Sequence, residues 1–521
     1  MKNLIKTYWP LFIIQLAVGF LFTFRLGRDL LLDWDECIYA GYATNMKIGG
    51  IYLHNMWNGL GLFEKSPFYS WILQLPLLAG RSELGLRLPT VLASLTLLGS
   101  IYVFCQSYFS KRIALIATLL MLTFESYIIY STKVSTDVIF SLFIFSGFWT
   151  WISSANGKEQ KSKLLVWMSG VFFAFALMVK GLGVTPYMGT LFLTIFLQPK
   201  KSRFLDFLKL LVSFSVVGLP WHLLMFLTHQ KEFMQMYIVD NFYKRSTFPV
   251  EFHRERLWFY LDLLYKESFP WIFALFIAPL SVILNAVKDL AKRTKKGSGF
   301  LAFTLPTGRQ FGMTVRGQIE KNSLTYTVFL FVLLPLISIS RVQTRIAWYV
   351  IPLLPYLSIF LAICLNLILD FMKKKNKTLS ATFYILLLIF IIFDAGRLIL
   401  NETRFAQSKP TIDTRYEVIL QSSKQEGDVL NYLVPFGERQ AKIILPPDET
   451  LTNTWYYGGN ACAVYYSNKK VNYFYELEPF EKALNRENSL FLISNQDSKY
   501  AEGRKILFKN ADFTLFTFGA K

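Results

Sequence analysis

The sequence predicts an α-helical, polytopic membrane protein that carries a small α/β domain after about residue 400. Three observations carry this reading: an apolar composition, apolar runs of spanning length that recur along the first 400 residues, and a change of pattern in the remainder. Of the 521 residues, 53% are hydrophobic and 17% aromatic, with a mean hydropathy of +0.36. A water-soluble chain of that size would leave too much apolar surface exposed.

A helix needs about 20 apolar residues to cross a hydrocarbon core of ~30 Å. Runs of that kind lie at 8–26, 85–107, 113–130, 134–153, 164–179, 182–198, 207–228, 269–287, 324–340, 346–370 and 378–398, so about eleven spans are expected, within a range of eleven to thirteen helices. The first run lacks a small-residue cleavage site and is followed by acids, which reads as a retained helix. Lys2 and Lys6 precede it, so the positive-inside rule puts the amino terminus in the cytoplasm. Alternation then places inside the loops that hold Lys200, Lys201, Arg203, Lys292, Arg293, Lys373, Lys374 and Lys375. The formal charge of +20 is accounted for by this topology signal, so it does not call for nucleic acid.

Three long segments fall outside the cytoplasm: 27–83, 229–268 and everything after 399. The first two are rich in aromatic and charged residues, as expected of loops along the interface. The tail alternates β-prone runs, "AKIILP", "NACAVYYS", "SLFLISN" and "FTLFTF", with polar stretches such as "PFEKALNRE". This suggests a domain boundary near 400, with residues 1–400 in the membrane domain and 401–521 in an extracytoplasmic α/β domain. The basic stretch 288–322 reads as a loop without assigned chemistry. Of the four cysteines, Cys105 and Cys364 lie in predicted helices, while Cys37 and Cys462 lie outside and far apart. No disulfide framework is implied by that spacing.

Ionisable groups at membrane depth are costly and therefore informative. Glu125, Asp137, Lys180, Arg341 and Arg345 all fall at external span ends, and none lies near the middle of a span. The external loops add Asp35, Glu36, Glu64, Lys65, His253, Arg254 and Arg256. Together they predict a polar cavity at the outer interface. Lys65, Lys180, Arg341 and Arg345 are candidates to hold a lipid-borne phosphate, and Arg254 a candidate cavity residue, because Lys and Arg bind phosphate through charge-assisted hydrogen bonds. A carboxylate beside them suits general-base work on a hydroxyl. Asp35, Glu36 and Asp137 are the candidates, although acids at these positions also stabilise the first turn of a helix such as 36–47.

The stretch "DWDECIYAGYATNM" resembles the acidic first external loop of the GT-C-type integral-membrane glycosyltransferases, in the protein O-mannosyltransferase and lipid A aminoarabinose transferase group. The likeness continues in order through "FEKSPFYSWI", "STDVIF", "LMVKGLG", "LPWHLLMF", "EFMQMYIVDNFYKR", "HRERLWFYL" and "RIAWYVIPLLPYLSIFLA". The resemblance implies a GT-C fold and a sugar donor linked to polyprenyl (undecaprenyl) phosphate. Asp35 would be the main catalytic carboxylate, with Asp137 as its partner. Lys65 and Arg345 would bind the donor phosphate, and Tyr39 and Tyr349 would line the site. Glu64 and His253 resemble a pair that holds a divalent metal, zinc, in bacterial aminoarabinose transferases. The chain departs from relatives at Cys37, and in "EKSPF", where Ser66 separates Lys65 from Pro67.

The expected activity is inverting sugar transfer to an envelope acceptor (lipid A, another lipid or glycan, or an exported protein) in a bacterial inner membrane, with the active face and the tail in the periplasm. A transporter or lipid flippase would call for broken helices, midplane charges and internal symmetry, which the sequence does not display. A glycan ligase shares the donor chemistry, but the early acidic loop followed by "FEK" favours transfer of single sugars.

Overall fold

The computed structural model describes residues 2–26, 29–32, 34–155, 159–197, 202–278, 309–408 and 414–520. Asp33 and most of the basic stretch 288–322 lie outside the described residues. Residues 309–322 do not form a loop. They continue the helix Arg309–Arg341, because the apolar run that follows propagates a helix once nucleated.

Among the described residues, seven helices are long and apolar enough to span a membrane: Glu83–Tyr108, Asp137–Ser154, Gln160–Thr194, Arg203–Thr228, Ser323–Arg341, Ala347–Lys375 and Lys377–Asn401. A bent pair, Lys111–Met121 and Glu125–Ser131, meets at 72° and forms either an eighth, broken span or a re-entrant loop. The protein is therefore a multi-span membrane protein. The expected runs 164–179 and 182–198 form one helical stretch with a tight turn at Gly181–Val184. Gly181 makes the turn possible, since its φ is +58° and an added Cβ would approach the Tyr237 hydroxyl to 3.2 Å. The first run lies in the helix Lys2–Leu26, and 269–287 passes into undescribed residues.

The Asp137–Ser154 and Ala347–Lys375 helices are mostly buried, whereas Arg203–Thr228 and Lys377–Asn401 expose most of their apolar surface. That distribution fits central helices in protein contact and outer helices in lipid contact. The loop 27–83 folds into a helix Asp35–Gly49, a hairpin of β1 (Asn55–Trp57) and β2 (Leu60–Leu62), and a helix Phe68–Leu78. The loop 229–268 contains a wide, π-wound segment, Met234–Lys244, and the helix Phe259–Ser268.

The tail is an α/β domain with a five-stranded sheet. Its strands are β3 (Val429–Leu433), β4 (Lys470–Phe474), β5 (Ser489–Ser494), β6 (Arg504–Lys509) and β7 (Phe513–Ala520). The order is β4-β3-β5-β7-β6, with β3, β4 and β5 parallel and β6 and β7 antiparallel. Two β-prone runs proved helical. "AKIILP" ends the helix Phe436–Ile444, whose Glu, Arg, Gln, Ala and Lys are good helix formers, and "NACAVYYS" holds the helix Cys462–Tyr466.

The expectation of no disulfide is corrected. Cys37 is bonded to Cys462 across 425 residues of sequence, because the tail docks the Cys462–Tyr466 helix on the Asp35–Gly49 helix. Sequence spacing carries no information about such a contact. Arg81 Nη1 to Asn468 Oδ1 (2.8 Å), Trp57 Nε1 to the Tyr456 carbonyl (2.9 Å) and the Tyr466 hydroxyl to Glu83 (3.0 Å) extend the seam.

Candidate active site

At the junction of the bundle and the two loops lies a cavity of about 400 Å³. The Asp35–Gly49 helix brings Asp35 and Tyr39 to it, one turn apart. The segment after β2 brings Glu64 and Lys65, and the start of the Asp137–Ser154 helix brings Thr136 and Asp137. The turn at Gly181 brings Lys180, the π-wound segment brings Tyr237, Asn241 and, at its end, Arg245, and the Ala347–Leu353 turn brings Tyr349. Wide π-type windings recur at functional sites, where they re-aim side chains.

The charges are matched except at one place. Lys180 Nζ donates to Asp137 Oδ1, and Ser135 Oγ donates to Asp137 Oδ2 at 2.8 Å. Lys65 Nζ stands 3.7 Å from Glu64 Oε1 and donates to the Tyr39 hydroxyl at 3.0 Å. Arg245 Nη2 is 3.7 Å from Glu251 Oε2, and its Nε donates to Asn241 Oδ1 at 3.3 Å. Among the described residues Asp35 has neither a hydrogen bond nor an ion pair. Burial pushes its carboxyl above the usual Asp value; Lys65 opposes this and Asp137 adds to it. For Lys65, burial works against the charge, but Tyr39, Glu64 and Asp35 overcome it and hold the ammonium.

Glu36, one residue on, does not line the cavity. Both its oxygens accept from Arg87, at 2.9 Å each, and from the Leu32 and Val134 backbone N–H groups at 2.8 Å each. Burial opposes that charge, and Arg87 more than compensates, holding the carboxyl below the usual Glu value. It is a buried pair that locks the Asp35–Gly49 helix to the Glu83–Tyr108 span. Removing one partner of such a pair costs about 3–5 kcal/mol.

Arg345 also stays out of the cavity lining. Its guanidinium donates to the carbonyls of Glu255 (2.6 Å) and Ser340 (3.3 and 3.4 Å). Arg341 does not line the cavity, and Arg254 is exposed and paired with Glu449 of the tail. Arg245, to which the sequence reading gave no role, lines it instead. Its place in "NFYKRST" offered no periodic signal, because the π winding breaks the 3.6-residue pattern.

Glu64 and His253 do not suit a divalent cation. The Glu64 oxygens are taken by Tyr42 and Asn453 donors beside the Lys65 ammonium, and His253 Nδ1 is 2.9 Å from the Glu251 carbonyl. Among the described residues no three His, Cys, Asp or Glu side chains converge as metal ligands, whereas zinc takes at least three protein ligands.

Comparison with known proteins agrees with the motif resemblance. The dolichyl-phosphate-mannose-protein mannosyltransferase family matches residues 64–223. An uncharacterised protein of Aquifex aeolicus is 26% identical over 275 residues, 51% of this chain and 54% of its own length. An undecaprenyl phosphate-alpha-4-amino-4-deoxy-L-arabinose arabinosyl transferase of Pseudomonas fluorescens is 23% identical over 347 residues, 64% of this chain and 57% of its own. The chain thus spans little more than half the length of these curated relatives. The crystal structure of ArnT from Cupriavidus metallidurans bound to undecaprenyl phosphate superposes with a TM-score of 0.66 at 14% identity, covering 98% of each chain. The chain has the GT-C fold and is similar, in structure over its whole length and in sequence over half or more of it, to the ArnT-like group of integral-membrane glycosyltransferases.

Proposed function

We propose that the protein is an inverting glycosyltransferase that moves a sugar from a polyprenyl-phosphate donor to an acceptor at the outer face of the inner membrane. The observation that carries the reading is Asp35: a carboxyl with no hydrogen bond or ion pair among the described residues, facing a cavity lined by Lys65, Lys180 and Arg245. Three cations suit a lipid phosphate, and a free carboxylate suits an acceptor hydroxyl.

In this mechanism the acceptor oxygen attacks the anomeric carbon as its proton passes to the Asp35 carboxylate. The bond from that carbon to the donor phosphate oxygen breaks, and polyprenyl phosphate leaves. Lys65 and Arg245 neutralise the charge that develops on the leaving phosphate, where preorganised cations act most strongly. Lys180 pairs with Asp137 at the cavity wall.

The acceptor is an envelope molecule: lipid A, another lipid or glycan, or an exported protein. The amino terminus faces the cytoplasm and the tail domain, from about residue 401, faces the periplasm. The test is transfer of label in proteoliposomes from a panel of undecaprenyl-phosphate sugars to total envelope acceptors. The reading predicts one labelled acceptor class and release of undecaprenyl phosphate. Donors left intact by folded protein would overturn it.

A further inference from the structure

We propose that Asn453 and Tyr457, both in the tail domain, are positioning residues for the donor phosphate: they hold the Glu64 carboxylate and thereby fix the Lys65 ammonium at the cavity wall. The inference rests on the transferase reading above.

The hydrogen atoms can be assigned around a closed ring. One amide hydrogen of Asn453 goes to Glu64 Oε2 and the other to the Tyr457 hydroxyl at 2.8 Å. The Tyr457 and Tyr42 hydroxyls are 2.5 Å apart. Tyr42 donates to Glu64 Oε1 at 2.8 Å, so its oxygen accepts from Tyr457. Every donor in the ring is spent, and both ends terminate on the carboxylate, the arrangement that satisfies an ionised Glu64. All four side chains are buried, with Tyr42 at 0%, Asn453 at 3%, Tyr457 at 5% and Glu64 at 7% exposure. Burial opposes the Glu64 charge, but Lys65, Tyr42 and Asn453 hold its carboxyl below the usual Glu value.

Lys65 stands on the cavity side of this ring, with its ammonium 3.7 Å from Glu64 Oε1 and bonded to Tyr39. A buried carboxylate that lost its tail donors would be unsatisfied, and it would draw the neighbouring ammonium inward and away from the cavity. Docking of the tail thus controls how Lys65 is presented to a phosphate. It also gives Glu64 a role that needs no metal.

The experiment compares binding of undecaprenyl phosphate and of undecaprenol, which lacks the phosphate, by the full chain and its Asn453→Ala and Tyr457→Phe variants. Tyr457→Phe keeps the ring that packs on Trp57 and removes only the hydroxyl. The expected result is about tenfold weaker binding of the phosphate lipid, the scale of one lost hydrogen bond to a charge, with undecaprenol binding unchanged. Lys482→Ala, at an exposed pair with Glu478, should change neither. Unchanged phosphate-lipid binding in both variants, or equal loss of both lipids, overturns the proposal. Failure of the transferase reading is separate, because it would show as wild-type protein that binds undecaprenyl phosphate and transfers no sugar.

Discussion

The ammonium of Lys65 donates to the hydroxyl of Tyr39 across 3.0 Å, with the ring of the same tyrosine 5.2 Å beneath it. The cation is thus oriented before any donor arrives. We predict that Lys65→Ala lowers kcat/KM for sugar transfer by about 10²-fold or more, the scale of one lost charge-stabilising donor. Tyr39→Phe, which leaves the cation in place, should cost only about 2- to 10-fold, the scale of one hydrogen bond. Steady-state kinetics on both variants check the ordering.

A base must be ionised to act, and burial raises the Asp35 carboxyl above the usual Asp value. We predict that kcat/KM falls on the acid side at a pH above the ~4 expected of an ordinary Asp. The same shift has a cost in stability. A carboxyl whose folded pKa exceeds its unfolded pKa favours the protonated fold, so the fold weakens as pH rises through that window. Asp35→Asn should therefore raise the melting temperature at neutral pH. A pH–rate profile and thermal unfolding of the variant check both halves.

The two arginines separate the cavity from its surroundings. Arg245 lines the cavity, whereas Arg345 ties the carbonyls of Glu255 and Ser340. Arg245→Ala should weaken undecaprenyl phosphate binding by about tenfold or more while the protein stays folded. Arg345→Ala should act mainly on stability, as buried carbonyls lose their donor at about 1–3 kcal/mol. Binding isotherms beside melting curves distinguish the two effects.

The membrane class and the gathering of several of the named charges were legible because both rest on local signals. Apolar runs and the place of Asp35, Asp137, Lys65 and Lys180 at span ends and in loops are properties of neighbouring residues, and all four side chains line one cavity. Long-range packing left no such trace. The Glu36–Arg87 pair joins residues 51 apart, and the ring at Glu64 draws on a residue 389 further along. Arg345 and Arg245 look alike in sequence, and only the winding of their segments decides which one faces the cavity.

The Cys37–Cys462 bond fastens the tail two residues beyond Asp35. We predict that the Cys37→Ser, Cys462→Ser double variant loses about 2–5 kcal/mol of stability and that its tail becomes more sensitive to protease. Reductant should bring the wild type to the same state and leave the double variant unchanged. Thermal unfolding and limited proteolysis with and without reductant check this.

The central claim is that Asp35 performs the transfer while the cations around it hold the departing phosphate. Its most direct test is the single-turnover rate of sugar transfer from a consumed undecaprenyl-phosphate donor, measured for wild type and Asp35→Asn at equal donor occupancy. The account predicts a loss of about 10²- to 10⁴-fold, the range typical of a general base, with donor binding retained. A variant that transfers sugar within a few-fold of the wild-type rate would contradict it.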